Sequence, residues 1–442
     1  MRSLTSGLFA AAAAWLVLGA AQRPADDPSD AEAQRSEDSL IADGYNFTQR
    51  WHLAPHPDLK RIRFEVLVPE EFGEHSFAIR VHSAHGQFSL WLVGPDGDPR
   101  MAWTGRKGEA TTVFSAPLGT YVLEIDQPAG SVGTAVLGIK GAVLHRCEID
   151  ESAVEEHPAS PARGFDWPYL LWRPRVARGS PSLLVVPDSS GFTSVDPKLL
   201  GEVGRCEIKR QNALATTLGV PLLVPLFPRP MIGKENLYLQ ALTRPSLQTT
   251  VEGFKRVDLQ LLAMIDDARA ALHAARVDVG TKVLLSGFSA SGMFVNRFAM
   301  IHPDRVRAVA CGSPGGWPLA PVDRIDSDEL TYPVGIADLK DLVGALPASS
   351  ALKAVSWLFY LGDQDRNDSV PFRDGFSEAQ EGLIFKRFGT TPVSRWKRAE
   401  ALYRDQGLHA DFRLYPGVSH FVSSDMAKDV ALFLEKAVAA TN

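Results

Sequence analysis

A serine with small residues on both sides is the residue of this sequence best suited to act as a nucleophile. Residues 283–300 read VLLSGFSASGMFVNRFAM: an apolar run ends at Gly287, Ser289 and Gly292 follow, and helical spacing begins. A strand, a tight turn and a helix in this order push the hydroxyl of the turn residue out of the backbone. Ser291 stands where such turns usually carry glycine, and it is also small. The pattern predicts that Ser289 is a nucleophile.

An acid and a histidine follow this serine, in the order that a triad of this arrangement requires. The apolar run 357–361 is typical of a buried strand, and the loop after it contains Asp365 and Asp368. His420 comes just after a second, half-buried strand that ends at residues 416–417. Asp365 is the preferred acid because it lies three residues beyond the glycine that ends its strand, and Asp368 is the alternative.

The three groups form a chemical unit. A serine hydroxyl is a weak nucleophile at neutral pH, so an imidazole must remove its proton as it attacks. A buried carboxylate on the other ring nitrogen fixes the tautomer and stabilises the imidazolium that forms. Each group alone has an ordinary explanation, such as a solvated loop histidine or a polar turn. Their common position at strand ends favours a Ser-His-Asp triad.

An oxyanion site and a substrate pocket complete the predicted chemistry. The backbone N–H of Ala290, directly after the serine, is the expected first donor to a tetrahedral intermediate. The second is expected from the loop after the apolar run 183–186, where Ser190 or Ser189 is the candidate by position. A small-residue turn that leads into a helix is the alternative for that loop. Phe288 and Trp317 are assigned to the pocket walls, with core packing as the alternative for Trp317.

The elements around these residues alternate between strand and helix. Apolar runs at residues 220–227 and 306–310 indicate further buried strands, and residues 169–172 indicate an early antiparallel one. Helical spacing is present in residues 257–272 and again near the C-terminus, in residues 430–437. This alternation predicts a doubly wound, mostly parallel sheet, the α/β-hydrolase class, in residues 165–442.

Several short motifs resemble secreted α/β-hydrolases of the polyhydroxyalkanoate depolymerase and feruloyl esterase group. They read VDLQ at residues 257–260, GFSASG at 287–292, HPDRV at 302–306 and GVSH at 417–420. The resemblance covers residues 165–440 and implies carboxylester hydrolysis through an acyl-serine, with no metal or organic cofactor. The sequence departs from the group in two places: its oxyanion loop lacks His-Gly, and its acid loop is longer between residues 365 and 370.

The N-terminus has the layout of a secretory signal peptide. Arg2 precedes an apolar stretch over residues 8–18, and Gly19-Ala20-Ala21 forms a small-residue cleavage site. The apolar stretch is too short to span a bilayer. We expect a signal peptide in residues 1–21, a disordered leader in 22–39, and a secreted or periplasmic protein.

A separate all-β unit is predicted between the leader and the hydrolase region. Apolar residues alternate with polar ones in residues 61–68, 77–81, 88–92 and 121–125, and turns rich in Gly and Pro separate these runs. The spacing predicts a small antiparallel β-sandwich over residues 40–148. Trp91 and Trp103 are its candidate ligand-stacking residues, with core or surface packing as the alternative. The acidic residues 149–164 are expected to form a linker.

Composition narrows the function classes. A formal net charge of -6 argues against nucleic acid or an anionic membrane as the main partner. Three cysteines allow one disulfide, for which Cys147 and Cys206 are the candidates, with Cys311 left as a thiol. The sequence contains no zinc-binding His-Glu-x-x-His spacing and no phosphate-binding glycine loop.

The combined expectation is a serine esterase that acts on a small or polymeric ester. Two alternatives stay open: a peptidase or amidase of the same fold, and a binding protein that retains the hydrolase framework. The oligomeric state and the ligand of the β-sandwich do not follow from the sequence.

Overall fold

The computed structural model describes residues 47–53, 61–68, 74–85, 88–93, 99–105, 107–115, 119–126, 132–140, 149–174, 182–188, 195, 197–232, 235–365, 367–371 and 375–439. The predicted signal peptide and leader lie outside these residues. Within the described ranges, no helix combines the length and the apolar character needed to cross a membrane.

The described part of the N-terminal region contains eight strands, and each pairs with its neighbours in antiparallel fashion. Four form a sheet of order β1-β8-β3-β6 and four form a second sheet of order β2-β7-β4-β5. The strands are β1 (Phe47–Leu53), β2 (Arg61–Val68), β3 (Glu74–His85), β4 (Phe88–Val93), β5 (Pro99–Gly105), β6 (Lys107–Ser115), β7 (Gly119–Asp126) and β8 (Val132–Lys140).

The register of the second sheet follows the alternation seen in the sequence. In the pair β2–β7, Ile62 lies opposite Ile125 and Phe64 lies opposite Leu123. Strand β4 adds to the same two rows, with Leu90 opposite Ile125 and Leu92 opposite Leu123. Directly opposed residues share a face of a sheet, so the alternating apolar positions of three strands fall on one side. Both Leu90 and Leu92 are fully buried.

The two tryptophans considered for ligand stacking lie in neighbouring strands of this sheet. Trp91 is half-buried. The backbone of Trp103 pairs with that of Leu90, but its side chain is not among those described.

The C-terminal region is built on an eight-stranded sheet of order β20-β19-β16-β15-β11-β12-β10-β9. The strand β10 runs antiparallel to both neighbours, and the other pairs are parallel. This confirms the predicted mostly parallel sheet with an early antiparallel strand. Its strands are β9 (Val154–His157), β10 (Tyr169–Trp172), β11 (Leu184–Val185), β12 (Leu222–Pro225), β15 (Val283–Phe288), β16 (Val306–Gly312), β19 (Ser356–Gly362) and β20 (His409–Tyr415). Two short hairpins lie outside it, formed by β13 (Met231–Ile232) with β14 (Glu235–Asn236) and by β17 (Arg324–Ile325) with β18 (Asp328–Glu329).

Nine α-helices lie in the described part of this region. They are α1 (Pro197–Leu218), α2 (Arg244–Gln248), α3 (Val257–Ala274), α4 (Ala290–Ile301), α5 (Leu339–Val343), α6 (Ser349–Lys353), α7 (Glu378–Phe388), α8 (Pro392–Asp405) and α9 (Ser424–Ala439). Short 3-10 turns occur at Glu151–Ala153, Pro161–Arg163, Leu239–Ala241 and Pro303–Arg305.

Both faces of the large sheet are covered, which explains why its strands read as continuous apolar runs. In β15, Leu285 packs into the cluster that contains α3 and α4, whereas Leu284 packs into the cluster that contains α1 and α9. In β19, Phe359 and Leu358 divide between the same two clusters. The result is a three-layer arrangement of helices, sheet and helices, as expected for a doubly wound fold.

The predicted linker was placed wrongly. Within residues 149–164, Val154–His157 form β9, the edge strand that pairs with β10. The segment is short and carries acidic residues, so it lacks the apolar alternation that signals a strand. Its charges suit an edge: Glu155 forms an ion pair with Arg173, next to β10, and its side chain is 41% exposed. The hydrolase region therefore begins by Val154 rather than at residue 165.

The cysteines fall into two states. Cys206, in α1, is disulfide-bonded, and Cys311, in β16, is a buried thiol. Burial raises the pKa of the Cys311 thiol well above its usual value. Cys147, the expected partner of Cys206, lies outside the described residues.

Candidate active site

The turn between β15 and α4 places Ser289 in a strained backbone conformation. Its φ is 60° and its ψ is -122°, a combination that is costly for a residue with a side chain and that recurs at functional sites. Two backbone hydrogen bonds hold it: the Ser289 N–H donates to the Gly312 carbonyl at 2.9 Å, and its carbonyl accepts from the Met293 N–H at 3.0 Å. The side chain is half-buried.

The small residues around this serine are required by close backbone contacts. A Cβ atom on Gly287 would lie 2.3 Å from the carbonyl oxygen of Ser291, and one on Gly292 would lie 2.3 Å from that of Gly312. Ser291 is accommodated because its hydroxyl bonds back to Phe288, accepting from its N–H at 2.9 Å and donating to its carbonyl at 3.0 Å. The neighbouring strand therefore leaves no room for a side chain at Gly292, one residue beyond the position singled out from the sequence.

Asp365 lies just beyond β19 and is fully buried. Its Oδ2 is 2.9 Å from His420 Nδ1 and also accepts a hydrogen bond from the Ser313 hydroxyl. Its Oδ1 accepts from the backbone N–H of Asn367 at 2.9 Å. A carboxylate held by several donors has a fixed orientation, so the imidazole that it contacts is also fixed.

Asp368 has a different set of partners. Its Oδ1 is 2.8 Å from Arg395 Nη1 in α8, and it accepts from the Val370 N–H at 3.1 Å. The Arg395 side chain is 1% exposed and that of Asp368 is 7% exposed, so this is a buried ion pair. A Cβ atom on Gly316 would lie 2.1 Å from Asp368 Oδ1. Of the two candidate acids, Asp365 contacts the histidine and Asp368 contacts an arginine.

The loop that carries His420 is attached to the acid loop by backbone contacts. The Gln364 N–H donates to the Val418 carbonyl at 2.9 Å, and a Cβ atom on Gly362 would lie 2.0 Å from the same oxygen. The His420 side chain is 9% exposed, and its ring lies 4.8 Å from the Phe288 ring. Phe288, predicted as a pocket residue, is half-buried beside the imidazole.

Asn367 joins the serine and the histidine, and the sequence analysis did not identify it. Its Nδ2 is 2.7 Å from His420 Nε2 and 3.5 Å from Ser289 Oγ. One side-chain nitrogen thus reaches both groups, which places the serine and the histidine side by side. Asparagine is common in loops and carries no periodic signal. The departure of the acid loop from the family pattern was the sequence feature that pointed to this segment.

The oxyanion side is described in part. Ala290 begins α4, is 3% exposed and packs against Tyr238 and Met293. The two serines proposed as second donors, Ser189 and Ser190, lie outside the described residues. The residue just before them, Asp188, is 5% exposed and accepts a hydrogen bond from Gln240 Nε2 at 3.1 Å.

Trp317 belongs to the core, the alternative that the sequence left open. It is 1% exposed, its ring stacks on Phe388 with centroids 4.1 Å apart, and its Nε1–H donates to the Val334 carbonyl at 2.9 Å. A buried indole that satisfies its donor in this way is structural. The assignment of Trp317 to the pocket wall is therefore wrong.

A strained turn between a central strand and a helix, at the carboxyl edge of a doubly wound sheet, decides the fold. This is an α/β-hydrolase fold. Among the described residues, no group of three or more histidine, cysteine, aspartate or glutamate side chains could hold a metal ion.

Comparison with solved structures gives matches at low sequence identity. No family model and no curated protein matches the sequence. Poly(aspartic acid) hydrolase-1 from Sphingomonas sp. KT-1 is similar with a TM-score of 0.43 and 16% identity, over 65% of this chain and 98% of that one. A poly(3-hydroxybutyrate) depolymerase from Bordetella parapertussis gives 0.41 and 19%, over 64% and 88%. A ferulic acid esterase gives 0.36 and 15%, over 65% and 97%.

Proposed function

We propose that this α/β-hydrolase is a serine esterase with Ser289 as nucleophile, His420 as general base and Asp365 as the orienting acid. The observation that carries the proposal is the meeting of the three side chains: Asp365 bonds His420 Nδ1, and one amide nitrogen contacts both His420 Nε2 and Ser289 Oγ. The ring nitrogen opposite the carboxylate is the one that must accept the serine proton.

The reaction follows from these positions. Ser289 Oγ bonds to the acyl carbon while its proton passes to His420 Nε2, and the carbonyl oxygen takes up negative charge. The bond from carbon to the alcohol oxygen then breaks, and that oxygen receives the proton from His420. Water attacks the acyl-serine, gives a proton to His420, and the Oγ–carbon bond breaks as that proton returns to the serine. The products are the carboxylic acid and the alcohol.

The developing oxyanion needs preorganised donors. The Ala290 N–H is the first, since it follows the nucleophile at the start of α4. The loop after β11, with Ser190 or Ser189, supplies the second. Loss of one such donor costs roughly 3 kcal/mol of transition-state stabilisation in other enzymes.

The proposed protein is exported and has two parts. The signal peptide, residues 1–21, directs the chain to the periplasm or the medium and is then removed. In that oxidising environment the disulfide of Cys206 is stable. The two antiparallel sheets of the N-terminal region form the proposed β-sandwich domain, which precedes the hydrolase domain in the chain.

A labelling experiment tests the catalytic assignment. Mature protein treated with a fluorophosphonate probe is expected to gain one adduct, on the peptide that contains Ser289, and Ser289→Ala is expected to remain unlabelled. Ser350→Ala, at an exposed serine of α6, serves as the matched control and is expected to label like the wild type. Absence of labelling in folded wild-type protein would favour the binding-protein alternative.

A substrate comparison separates ester from amide cleavage. Short p-nitrophenyl esters are expected to turn over faster than aminoacyl p-nitroanilides at equal concentration. Faster release from the anilides would identify a peptidase or amidase. Repeating the panel on polymeric esters with protein lacking residues 22–150 measures what the N-terminal region contributes.

A further inference from the structure

The carboxamide of Asn367 occupies the position at His420 that the serine hydroxyl needs. The His420 ring faces the Asp365 carboxylate through Nδ1 at 2.9 Å, so in the neutral ring Nδ1 carries the proton and Nε2 accepts. The donor at Nε2 is Asn367 Nδ2, at 2.7 Å. Ser289 Oγ contacts the same Nδ2 at 3.5 Å. The amide nitrogen thus contacts both of the groups that exchange a proton in the proposed reaction.

We propose that Asn367 is a cap on the general base: its side chain blocks His420 Nε2 in the resting protein, and substrate displaces it before acylation. The inference rests on the proposed function of Ser289, His420 and Asp365. It gives Asn367, a residue outside the triad, control over access to His420 Nε2. It therefore predicts that Ser289 in the resting protein reacts more slowly than it would without the cap.

The capped arrangement cannot carry out the reaction. A general base must lie within hydrogen-bond reach of the proton that it removes, about 2.6–3.2 Å between heavy atoms or one water away. An amide N–H is not an acid at neutral pH, so it cannot relay the serine proton to the imidazole. The leaving alcohol must also approach Nε2 to receive the proton. The substrate therefore competes with the carboxamide for the same place.

The cap is built into an anchored loop. The Asn367 backbone N–H is bonded to Asp365 Oδ1 at 2.9 Å. Its neighbour Asp368 forms the buried ion pair with Arg395 at 2.8 Å. Both contacts hold the main chain on either side of the Asn367 side chain. Opening then requires only rotation of the carboxamide, which is a fast side-chain motion that leaves the acid in place.

The test compares two carboxamides of the same loop. Asn367→Ala removes the cap and keeps the backbone bond to Asp365, and Gln364→Ala removes an exposed carboxamide that has the same chemistry. The second-order rate constant for fluorophosphonate labelling of Ser289 is measured for both variants and the wild type. The expected gain for Asn367→Ala is about 2- to 10-fold, the range set by one neutral hydrogen bond, with no gain for Gln364→Ala. Asn367→Ser, whose side chain is too short to bridge, gives a second variant if Asn367→Ala does not fold.

The outcomes separate the two proposals. Labelling of the wild type with a larger rate constant in Asn367→Ala supports the cap. Labelling of the wild type with an equal or smaller rate constant in Asn367→Ala overturns it and makes Asn367 a spectator or a donor to the substrate. Failure of every form to label overturns the proposed function instead.

A second measurement tests the cap without catalysis. Diethyl pyrocarbonate acylates a neutral imidazole at an accessible nitrogen, and mass spectrometry of the His420 peptide gives the rate. The Asn367→Ala rate is expected to exceed that of the wild type severalfold, while Gln364→Ala is expected to match the wild type. Equal rates in all three forms would show that Asn367 does not block Nε2.

Discussion

Two aspartate–histidine pairs in this molecule have the same contact distance and different surroundings. In the proposed active site, Asp365 contacts His420 at 2.9 Å. In another part of the domain, Asp258 of α3 contacts His302, at the end of α4, also at 2.9 Å. Both carboxylates are fully buried. Distance and burial alone therefore do not distinguish a reactive pair from a structural one.

The two pairs differ in the other groups that contact the aspartate. Asp258 is also bound by Arg256 through two hydrogen bonds, at 2.8 and 2.7 Å, so its charge is balanced by a guanidinium. Burial opposes its ionisation, but the hydrogen bonds from Arg256 and His302 outweigh burial and lower its pKa to about 2. Asp365 instead accepts from a hydroxyl and a backbone N–H. In the proposed reaction this carboxylate stabilises the imidazolium that forms on His420.

The two rings also differ in which nitrogen faces the carboxylate. His302 uses Nε2 for its carboxylate, and its ring packs against Phe298 with centroids 5.0 Å apart. His420 uses Nδ1 and turns Nε2 toward the serine turn. A proton acceptor is useful only where a nucleophile lies beside it, and only the second arrangement meets that condition.

Substituting each histidine by glutamine is expected to give the largest difference in activity between the two pairs. His420→Gln is expected to lower kcat/KM for a p-nitrophenyl ester by about 10⁴-fold or more, as in other triads. His302→Gln is expected to keep kcat/KM within roughly threefold while lowering the thermal unfolding temperature, because the ring lies far from the reacting atoms but joins two helices. Ester kinetics and thermal unfolding on both variants check this. A large kinetic loss in the His302 variant would remove the distinction.

The charge balance of the structural pair predicts a stability effect. Asp258→Asn leaves Arg256 without its carboxylate and is expected to lower the free energy of unfolding by about 3 kcal/mol, as for a broken buried ion pair. Urea unfolding followed by circular dichroism measures it. The matched change Asp365→Asn is expected to reduce activity far more than stability. Equal stability losses in the two variants would contradict the assignment of separate roles.

The turn can be disturbed while both pairs stay intact. Gly292→Ala would bring a Cβ within 2.3 Å of the Gly312 carbonyl and shift Ser289. We expect a loss of about 10²-fold in kcat, the cost of a displacement near 1 Å at a reacting group. Gly382→Ala, in α7, is the control, because its Cβ would meet nothing within 4 Å. That variant is expected to retain activity and gain about 0.5–1 kcal/mol of stability. Full activity in Gly292→Ala would show that the turn tolerates a larger residue.

The smallest expected effect is a pH dependence of the structural pair. The pKa of Asp258 is about 2 in the folded protein against a usual 3.8, so its ionised form stabilises the fold above pH 4. This contribution, about 2 kcal/mol, is lost as the pH falls from 4 towards 2. Between pH 5 and pH 2, the free energy of unfolding of the wild type is therefore expected to fall by about 2 kcal/mol more than that of Asp258→Asn. Urea unfolding at each pH measures this difference. Parallel pH curves for the two proteins would argue against it.

The same contrast shows how far a sequence can be interpreted. The strand ends that carry Ser289, Asp365 and His420 were recognisable because apolar runs and glycines mark them locally. The choice between Asp365 and Asp368 depended on Arg395, a residue of a later helix whose contact with the loop has no local signal. Asn367 was missed for the same reason, and β9 was missed because four residues of mixed polarity resemble a linker.

The tertiary role of aromatic residues was also not predictable. Trp317 follows a strand near the nucleophile, as a pocket residue would, yet its ring stacks on Phe388 of α7. The motif residues Asp258 and His302 were noted only as family resemblance, and the structure joins them through one hydrogen bond. Contacts between distant segments depend on how the helices pack against the sheet, and local sequence patterns do not determine that packing.

Because Gly362 has no side chain, the acid loop and the histidine loop can lie in direct backbone contact, and this affects which sequence changes the site can accept. With the main chain of the histidine loop pressed against that position, the spacing of acid and base is fixed by two backbones rather than by rotamers. The outer parts of either loop can change in length and in residue type without altering the spacing of acid and base. Substrate preference is thus free to diverge while the proton-transfer geometry is conserved by steric exclusion.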